Sequence, residues 1–174
     1  MCRYHEARQL LYSAPIFKLK AGLLHTLNET LLPNQWVGVK SLELYYLLKW
    51  GERPHESQEG KAAYDETWRL LNSMPGLGSL SVGFEVGASG RDILPQAGRD
   101  AWFVPMQDFV TAKKELKHLR ISFRGGVAFE LGLEDKDEVE RLTKGSCMTI
   151  TVLKTPRVGC VIKMPEFGIP PVAR

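Results

Sequence analysis

The first six residues bring together a cysteine, a histidine and a glutamate, Cys2, His5 and Glu6, within about one helical turn. A cysteine nucleophile needs a base within hydrogen-bond reach and surroundings that favour the thiolate. Proximity in sequence supplies neither condition, and a side chain at the extreme terminus would be held loosely. We therefore interpret the three residues as the surface of a short helix, not as an active site.

Metal coordination is the second chemistry that the residue types could support. His25, His55 and His118 fall on a predicted helix, a loop and a strand, and no His-Glu-x-x-His spacing connects them. The acidic run EDKDE at 134–138 lacks the alternating oxygen ligands and central glycine of a calcium loop. We expect it to begin a helix, where acidic groups complement the helix dipole. The sequence predicts no metal site.

Glycines and serines offer two further motifs. The run GFEVGASG at 83–90 resembles a phosphate loop but lacks the Gly-Lys-Ser/Thr ending, so we interpret it as a turn after a strand. Ser41, Ser79 and Ser122 lie in predicted strands, and none stands in a Gly-x-Ser-x-Gly elbow. We predict no catalytic, cofactor-binding or metal residues, and we expect that the protein is not an enzyme and needs no cofactor.

Basic residues cluster in the third part of the chain. Nucleic-acid binding usually requires a concentrated basic surface, whereas the net charge here is only +3. Single-stranded RNA would also need aromatic platforms beside the cations, and Phe109 and Phe123 are predicted core residues. We therefore expect no nucleic-acid partner, with weak RNA binding as an alternative. The cations concerned are Lys113, Lys114, Lys117, Arg120 and Arg124.

Composition indicates one folded domain in an intracellular setting. The chain has 174 residues, of which 44% are hydrophobic and 25% charged, as in average soluble domains. Its three cysteines, Cys2, Cys147 and Cys160, are odd in number and widely spaced, which favours reduced thiols. No apolar run approaches the roughly 20 residues of a membrane span, and the charged N-terminus lacks the apolar region of a secretory signal. We expect a cytoplasmic or nuclear protein that is not secreted and has no membrane partner.

Strands and helices alternate in the predicted secondary structure. Pro105 is placed in the first turn of its helix, and the polar stretch at 49–61 is predicted to wander over the surface as a loop. A second loop is predicted for 92–98. Hydrophobic periodicity predicts strands at 16–19, 39–48, 77–86, 116–123 and 147–154, and helices at 6–12, 21–32, 62–74, 101–117 and 135–143.

Three of these strands share one pattern. VKSLELY at 39, LGSLSVG at 77 and LKHLRIS at 116 have apolar residues at positions one, four and six, with periods of 38 and 39 residues. A helix before each strand makes this a βα repeat, whose strands should be parallel. The predicted fold class is α/β, with repeated βα units forming a leucine-rich-repeat-like parallel sheet and helices on one side. Residues 1–154 are predicted as one domain and 155–174 as a poorly ordered tail.

The opening stretch CRYHEARQLLYSAPIF resembles the start of a large fungal family of uncharacterised, F-box-like proteins that carry a domain of unknown function. The similarity continues through LLHTLNETLL, VKSLELYY, the helix with Trp68, and MPGLGSLSV at 74–82, and it covers about residues 2–123. It implies a fold and a family but no catalytic residues. The opening residues that match are Cys2, Arg3, Glu6, Ala7, Leu10, Leu11, Tyr12 and Phe17.

In that family an F-box-like segment usually precedes the cysteine, whereas this chain begins there. We therefore expect an N-terminally truncated member that acts as a non-catalytic protein-interaction module, with another protein as its partner. Repeat layers present extended surfaces suited to such partners. A small hydrolase or transferase with its site in the loops at 49–61 and 87–100 is the alternative enzyme class, and weak RNA binding through the basic third repeat is the other alternative.

Overall fold

A computed structural model describes residues 16–48, 52–86, 92–124 and 126–153. The predicted helix at 6–12, the group of Cys2, His5 and Glu6, and the predicted tail lie outside these described residues. Five strands alternate with helices along the described chain. The strands are β1 (Phe17–Lys20), β2 (Ser41–Leu48), β3 (Ser79–Val86), β4 (His118–Arg124) and β5 (Met148–Leu153).

All five strands form one parallel sheet in sequence order, from β1 at one side to β5 at the other. The register places Leu42, Leu80, Leu119 and Met148 side by side, so the apolar positions of the repeat form a continuous row across four strands. This confirms the predicted α/β class and the layout of repeated βα units. Each unit buries the apolar side of its strand against its neighbours.

The helices connect consecutive strands and cover one side of the sheet. A 3₁₀ turn at Ala21–Leu23 leads into α1 (Leu24–Thr30), and the remaining helices are α2 (Pro33–Gly38), α3 (Gln58–Asn72), α4 (Gln96–Ala112), α5 (Val127–Glu130) and α6 (Lys136–Thr143). Right-handed crossovers between neighbouring parallel strands bring successive helices to the same side. None of these described helices is long and apolar enough to cross a membrane.

Aromatic side chains fill the space between the sheet and α3 and α4. Phe84 lies at the centre, with its ring centroid 4.8 Å from that of Tyr46 and 5.1 Å from that of Phe123, both stacked. Trp102 meets the same ring edge-on at 5.3 Å. The Tyr64 hydroxyl donates a hydrogen bond to the carbonyl oxygen of Trp102 at 3.0 Å, which satisfies a polar group in this core.

The prediction of a surface loop at 49–61 was wrong for much of that segment. α3 begins at Gln58 and not at residue 62, because the Ser57 hydroxyl caps it by accepting a hydrogen bond from the Gly60 amide at 2.9 Å. Arg53 and Pro54, which precede it, are buried. This polar stretch therefore contributes to the core.

Helix boundaries also differ elsewhere from the predictions. α4 begins at Gln96, so Pro105 lies inside the helix and not in its first turn. The helix predicted for 21–32 ends at Thr30, and the unpredicted α2 follows with Pro33 at its first position. α2 buries Trp36, whose indole nitrogen donates to the Ser73 hydroxyl at 3.3 Å.

Candidate interaction surface on the open face of the sheet

One face of the sheet lies opposite the helices, and we call it the open face. Strand side chains alternate between the two faces, and those of β2 and β4 alternate between buried and half-buried or exposed. Four rows of open-face residues run across the strands: Ser41, Ser79 and His118; then Lys18, Glu43, Ser81, Arg120 and Thr149; then Lys20, Tyr45, Gly83, Ser122 and Thr151; then Leu47, Glu85, Arg124 and Leu153.

Three apolar side chains of this face are accessible to solvent. Tyr45 is 45% exposed, Leu47 is 62% exposed and Leu153 is 39% exposed. Gly83 lies beside Tyr45 in the sheet and has no side chain. A recess of about 190 Å³ lies there and is bordered by Tyr45, Leu47 and Leu153. Tyr45 forms one wall of the recess.

A hydrogen-bonded group occupies the β1 side of the open face. The Lys18 ammonium lies 2.9 Å from a Glu43 carboxylate oxygen, and the Tyr45 hydroxyl donates to the other oxygen of that carboxylate. Hydrogen bonding to Glu43 raises the pKa of both Lys18 and Tyr45, while the bond from Tyr45, with that from Lys18, lowers the pKa of Glu43. The Tyr45 ring is thereby oriented by a charged neighbour.

Positive charge predominates on the open face. Arg124 lies 3.6 Å from Glu85, which is a solvent-exposed ion pair. Arg120 and Lys20 form no ion pair with any residue that the structure describes. The four cations Lys18, Lys20, Arg120 and Arg124 therefore face two carboxylates, Glu43 and Glu85. An acidic partner would complement this surface.

The predicted histidine candidates lie far apart in the fold. His118 is exposed on the open face, as its alternation with Leu119 predicts. His25 lies on α1 and is 3.4 Å from Glu29 one turn later. Within the described ranges, no three of the His, Cys, Asp and Glu side chains are grouped so that they could hold a metal ion.

The acidic run and the serines have local structural roles. Asp135 caps α6, because its carboxylate accepts a hydrogen bond from the amide of Asp137 at 3.0 Å, as expected for a helix start. Ser41 and Ser79 lie in one row with His118, whereas Ser122 donates to the carbonyl oxygen of Val82 at 3.4 Å. The motif at 83–90 begins inside β3, and residues 87–90 lie outside the description.

Sequence reasoning missed a buried polar cluster at the carboxyl ends of the strands. Arg53, after β2, places Nη1 3.0 Å from Oε2 of Glu130 on α5, and both residues are only 1% exposed. Glu56 adds a second carboxylate at 3.4 Å. His55 accepts a hydrogen bond from the Trp102 indole at 3.0 Å, and burial lowers its pKa. Since Arg53 and Glu130 are 77 residues apart, no local spacing could have indicated the pair.

That cluster falls in the first of the two loops to which the alternative enzyme class assigns a site. Polar groups do converge there, but the side chains of Arg53 and Glu130 are buried against each other and away from solvent. Residues 49–51 and 87–91 of the two loops lie outside the described ranges. The ion pair joins the described part of the first loop to α5.

The predicted basic group is divided between two surfaces. Arg120 and Arg124 lie on the open face, whereas the Lys113 ammonium donates to the carbonyl oxygens of Asn72 and Met74. Phe109 and Phe123 are buried, as predicted. Neither ring can therefore serve as a stacking platform for RNA bases.

Comparison with known proteins adds no family or function. No family model, no curated protein and no solved structure matches this chain.

Proposed function

We propose that this chain is a non-catalytic protein-interaction module that binds another protein on the open face. One observation carries the proposal: the sheet is covered by helices on one side, while exposed apolar and basic side chains line the other. Isolated exposed apolar residues are ordinary, but Tyr45, Leu47 and Leu153 surround a single recess beside a row of charges. Such a combination of apolar anchors and a polar rim is typical of recognition surfaces.

The surface chemistry defines the segment that it would bind. The recess above Gly83 accepts an apolar side chain. Lys20 lies in the same row as Gly83 and Arg120 lies in the adjacent row, and neither forms an ion pair with a described residue. A partner segment that carries an apolar residue flanked by carboxylates would fill the recess and pair with the cations. The charges would mainly accelerate association and select the partner, while the apolar contact would hold it.

We also propose that the chain belongs to the fungal F-box-like family that its opening stretch resembles. The agreement between the predicted repeat and the parallel sheet supports this proposal through the fold. A transcript that encodes an F-box-like segment in frame before Met1 would test it. The sequence of such a segment would place the module in an adaptor protein, and an unrelated upstream segment would contradict that role.

Site-specific photocrosslinking in the native cell tests the interaction surface. A photoreactive amino acid is placed at Tyr45, and in a matched control at Val104 on α4, since both side chains are 45% exposed. We expect a discrete protein adduct from position 45 and none from position 104. Adducts of equal yield from both positions, or adducts only from position 104, would contradict binding on the open face.

Substitution of Gly83 provides the second test. An added Cβ there would lie 3.4 Å from Ser122 Oγ and Tyr45 Cδ1, which is ordinary contact, so Gly83→Arg should fold and fill the recess. We expect an unchanged thermal midpoint and loss of the adduct from position 45. Arg120→Glu should reduce the adduct through charge repulsion. Retention of the adduct by both folded variants would refute the proposed recess.

A further inference from the structure

A second groove lies at the amino ends of the central strands, away from the recess of the open face. It has a volume of about 690 Å³ and is lined by residues that include Lys40, Gly78, Ser79, Lys114, Lys117 and His118. We call it the amino-end groove. Its residues come from the same position in successive repeats, immediately before or at the start of β2, β3 and β4.

The repeat places a glycine between two lysines. Lys40, Gly78 and Lys117 hold equivalent positions in the three repeats, and backbone hydrogen bonds join them across the sheet. The Gly78 amide donates to the Lys40 carbonyl at 3.0 Å, and the Lys117 amide donates to the Gly78 carbonyl at 2.9 Å. Neighbouring strands are about 4.8 Å apart, so the two lysine backbones are separated by about 10 Å. Gly78 leaves the space between them open.

The groove has an excess of positive charge that its own residues do not neutralise. Lys40, Lys114 and Lys117 are exposed, and none of them forms an ion pair with another described residue. Glu115 is the one carboxylate among the lining residues. The hydroxyls of Ser41 and Ser79 lie in the adjacent row and add hydrogen-bond donors.

We propose that the amino-end groove binds a ligand with two phosphate groups, one at Lys40 and one at Lys117. Lysine ammonium groups bind phosphate as point charges, and serine hydroxyls can donate to the same oxygens. The Lys40 ammonium lies beside Gly76, and the Lys40 and Lys117 backbones are about 10 Å apart, so each lysine can meet a different phosphate group, while Lys114 adds charge beside them. This binding site is separate from the proposed protein-binding recess and does not depend on it.

Calorimetric titration of the full chain with inorganic tripolyphosphate tests the site. Lys40→Gln and Lys117→Gln should each weaken binding by about tenfold, the lower range for a hydrogen bond to a charged group. Lys136→Gln/Lys144→Gln removes two charges outside the groove and serves as the control for Lys40→Gln/Lys117→Gln. An equal loss of affinity in the two double variants would show that binding depends only on the net charge of the protein, and it would overturn the proposal.

Gly78 supplies a sharper variant. A Cβ at this position would approach only the Lys40 carbonyl oxygen, at 3.9 Å, so substitution should leave the fold intact. Gly78→Glu places a carboxylate between the lysines and should abolish binding, whereas Gly78→Ala should keep the affinity within about threefold. Circular dichroism melting of both variants verifies folding. Undiminished tripolyphosphate binding by folded Gly78→Glu would overturn the site.

The phosphate groups could belong to a soluble compound or to a lipid headgroup, and a vesicle assay separates the two. Phosphatidylcholine vesicles containing phosphatidylinositol 4,5-bisphosphate are sedimented with the full chain and with Gly78→Glu. Tripolyphosphate binding without vesicle binding supports a soluble ligand. Vesicle binding that Gly78→Glu abolishes supports a headgroup in the same site. No binding of either probe by the wild-type chain would overturn the proposal.

Discussion

Arg53 and Glu130 have their charged groups in the interior, where desolvation is costly unless the charges are paired. The Arg53 Nη1 atom contacts both carboxylate oxygens of Glu130, at 3.0 Å and 3.3 Å, and Glu56 Oε1 lies 3.4 Å from the same nitrogen. The energetic importance of such a pair shows when only one partner is removed. Without Glu130, the Arg53 guanidinium keeps Glu56 at 3.4 Å but loses its closer carboxylate.

We predict that Glu130→Gln lowers the free energy of unfolding by about 1 to 3 kcal/mol, because Arg53 loses its closer carboxylate and keeps Glu56. The double variant Arg53→Met/Glu130→Leu should lose less than the sum of Arg53→Met and Glu130→Leu, because neither member of the closest pair is left without the other. Urea denaturation of the wild type, Arg53→Met, Glu130→Leu and the double variant measures this coupling. Strict additivity of the two single effects would show that the charges do not depend on each other.

His55 should make stability dependent on pH. Burial lowers its pKa in the folded chain, so the folded state favours the neutral ring that accepts the Trp102 hydrogen bond. Its contribution is fully present above the unfolded pKa of about 6.5 and is lost as the pH falls towards the lowered folded value. His55→Asn keeps an acceptor but cannot titrate.

The measurement is the free energy of unfolding of both proteins from about pH 8 to about pH 5. The wild type should lose more stability over this interval than His55→Asn. Carboxylates with lowered pKa, such as Glu43 and Glu138, lose their contributions at lower pH. Parallel curves for the two proteins would argue against a lowered pKa of His55 in the folded chain.

At the scale of elements, α3 and α4 both have glycine at the third position but differ in the space available for a side chain there. Each helix has glycine at its third position, Gly60 and Gly98. A Cβ on Gly60 would lie 2.7 Å from the Arg53 carbonyl oxygen, too close for any residue but glycine, whereas a Cβ on Gly98 would lie in ordinary contact with Leu94 at 3.4 Å. The 52–57 segment thus approaches α3 directly.

We predict opposite effects for the same substitution. Gly98→Ala should stabilise the protein by up to about 1 kcal/mol through helix propensity, and Gly60→Ala should destabilise it despite that gain. Thermal unfolding of the two variants gives the comparison. Stabilisation by both would mean that the 52–57 segment does not pack against the first turn of α3.

The limits of prediction are also clearest for elements. Strand positions and the repeat followed from apolar spacing, since β2, β3 and β4 alternate with period two. The start of α3 was missed because Gln58, Glu59 and Gly60 have no apolar periodicity and are helical through the Ser57 cap. Pro105 was placed too near the helix start because the first turn of α4, at 96–100, is polar.

For the whole molecule, the one-dimensional stack of units predicts a gradient of local stability. β2, β3 and β4 each have a hydrogen-bonded strand on both sides, whereas β1 has four residues and one described neighbour. Amide hydrogens in the three central strands should exchange slowest and those of β1 fastest. Hydrogen exchange with mass spectrometry measures this, and uniform protection across all five strands would contradict it.

The surfaces were harder to predict than the sheet. Alternation indicated which strand residues point away from the core, and His118 shows this. The repeat alignment also places Tyr45, Gly83 and Ser122 at one shared position, which is the register that the sheet shows. Neither pattern indicates how exposed the neighbouring side chains are or that a recess lies among them. The amino-end groove likewise depends on the glycine in one repeat standing between the lysines of its neighbours. Both surfaces arise only when the repeats are aligned side by side.

The ion pair of Arg53 and Glu130 joins the segment after β2 to the segment after β4, passing over the unit between them. A repeat protein whose contacts are only between neighbours can open from one end, one unit at a time. Here, detachment of the unit that contains β4 and Glu130 would also separate Arg53, which follows β2, from its closest carboxylate. This long-range contact favours cooperative, all-or-none unfolding of the central strands, so that partly opened intermediates and the protease-sensitive sites they expose should be rare.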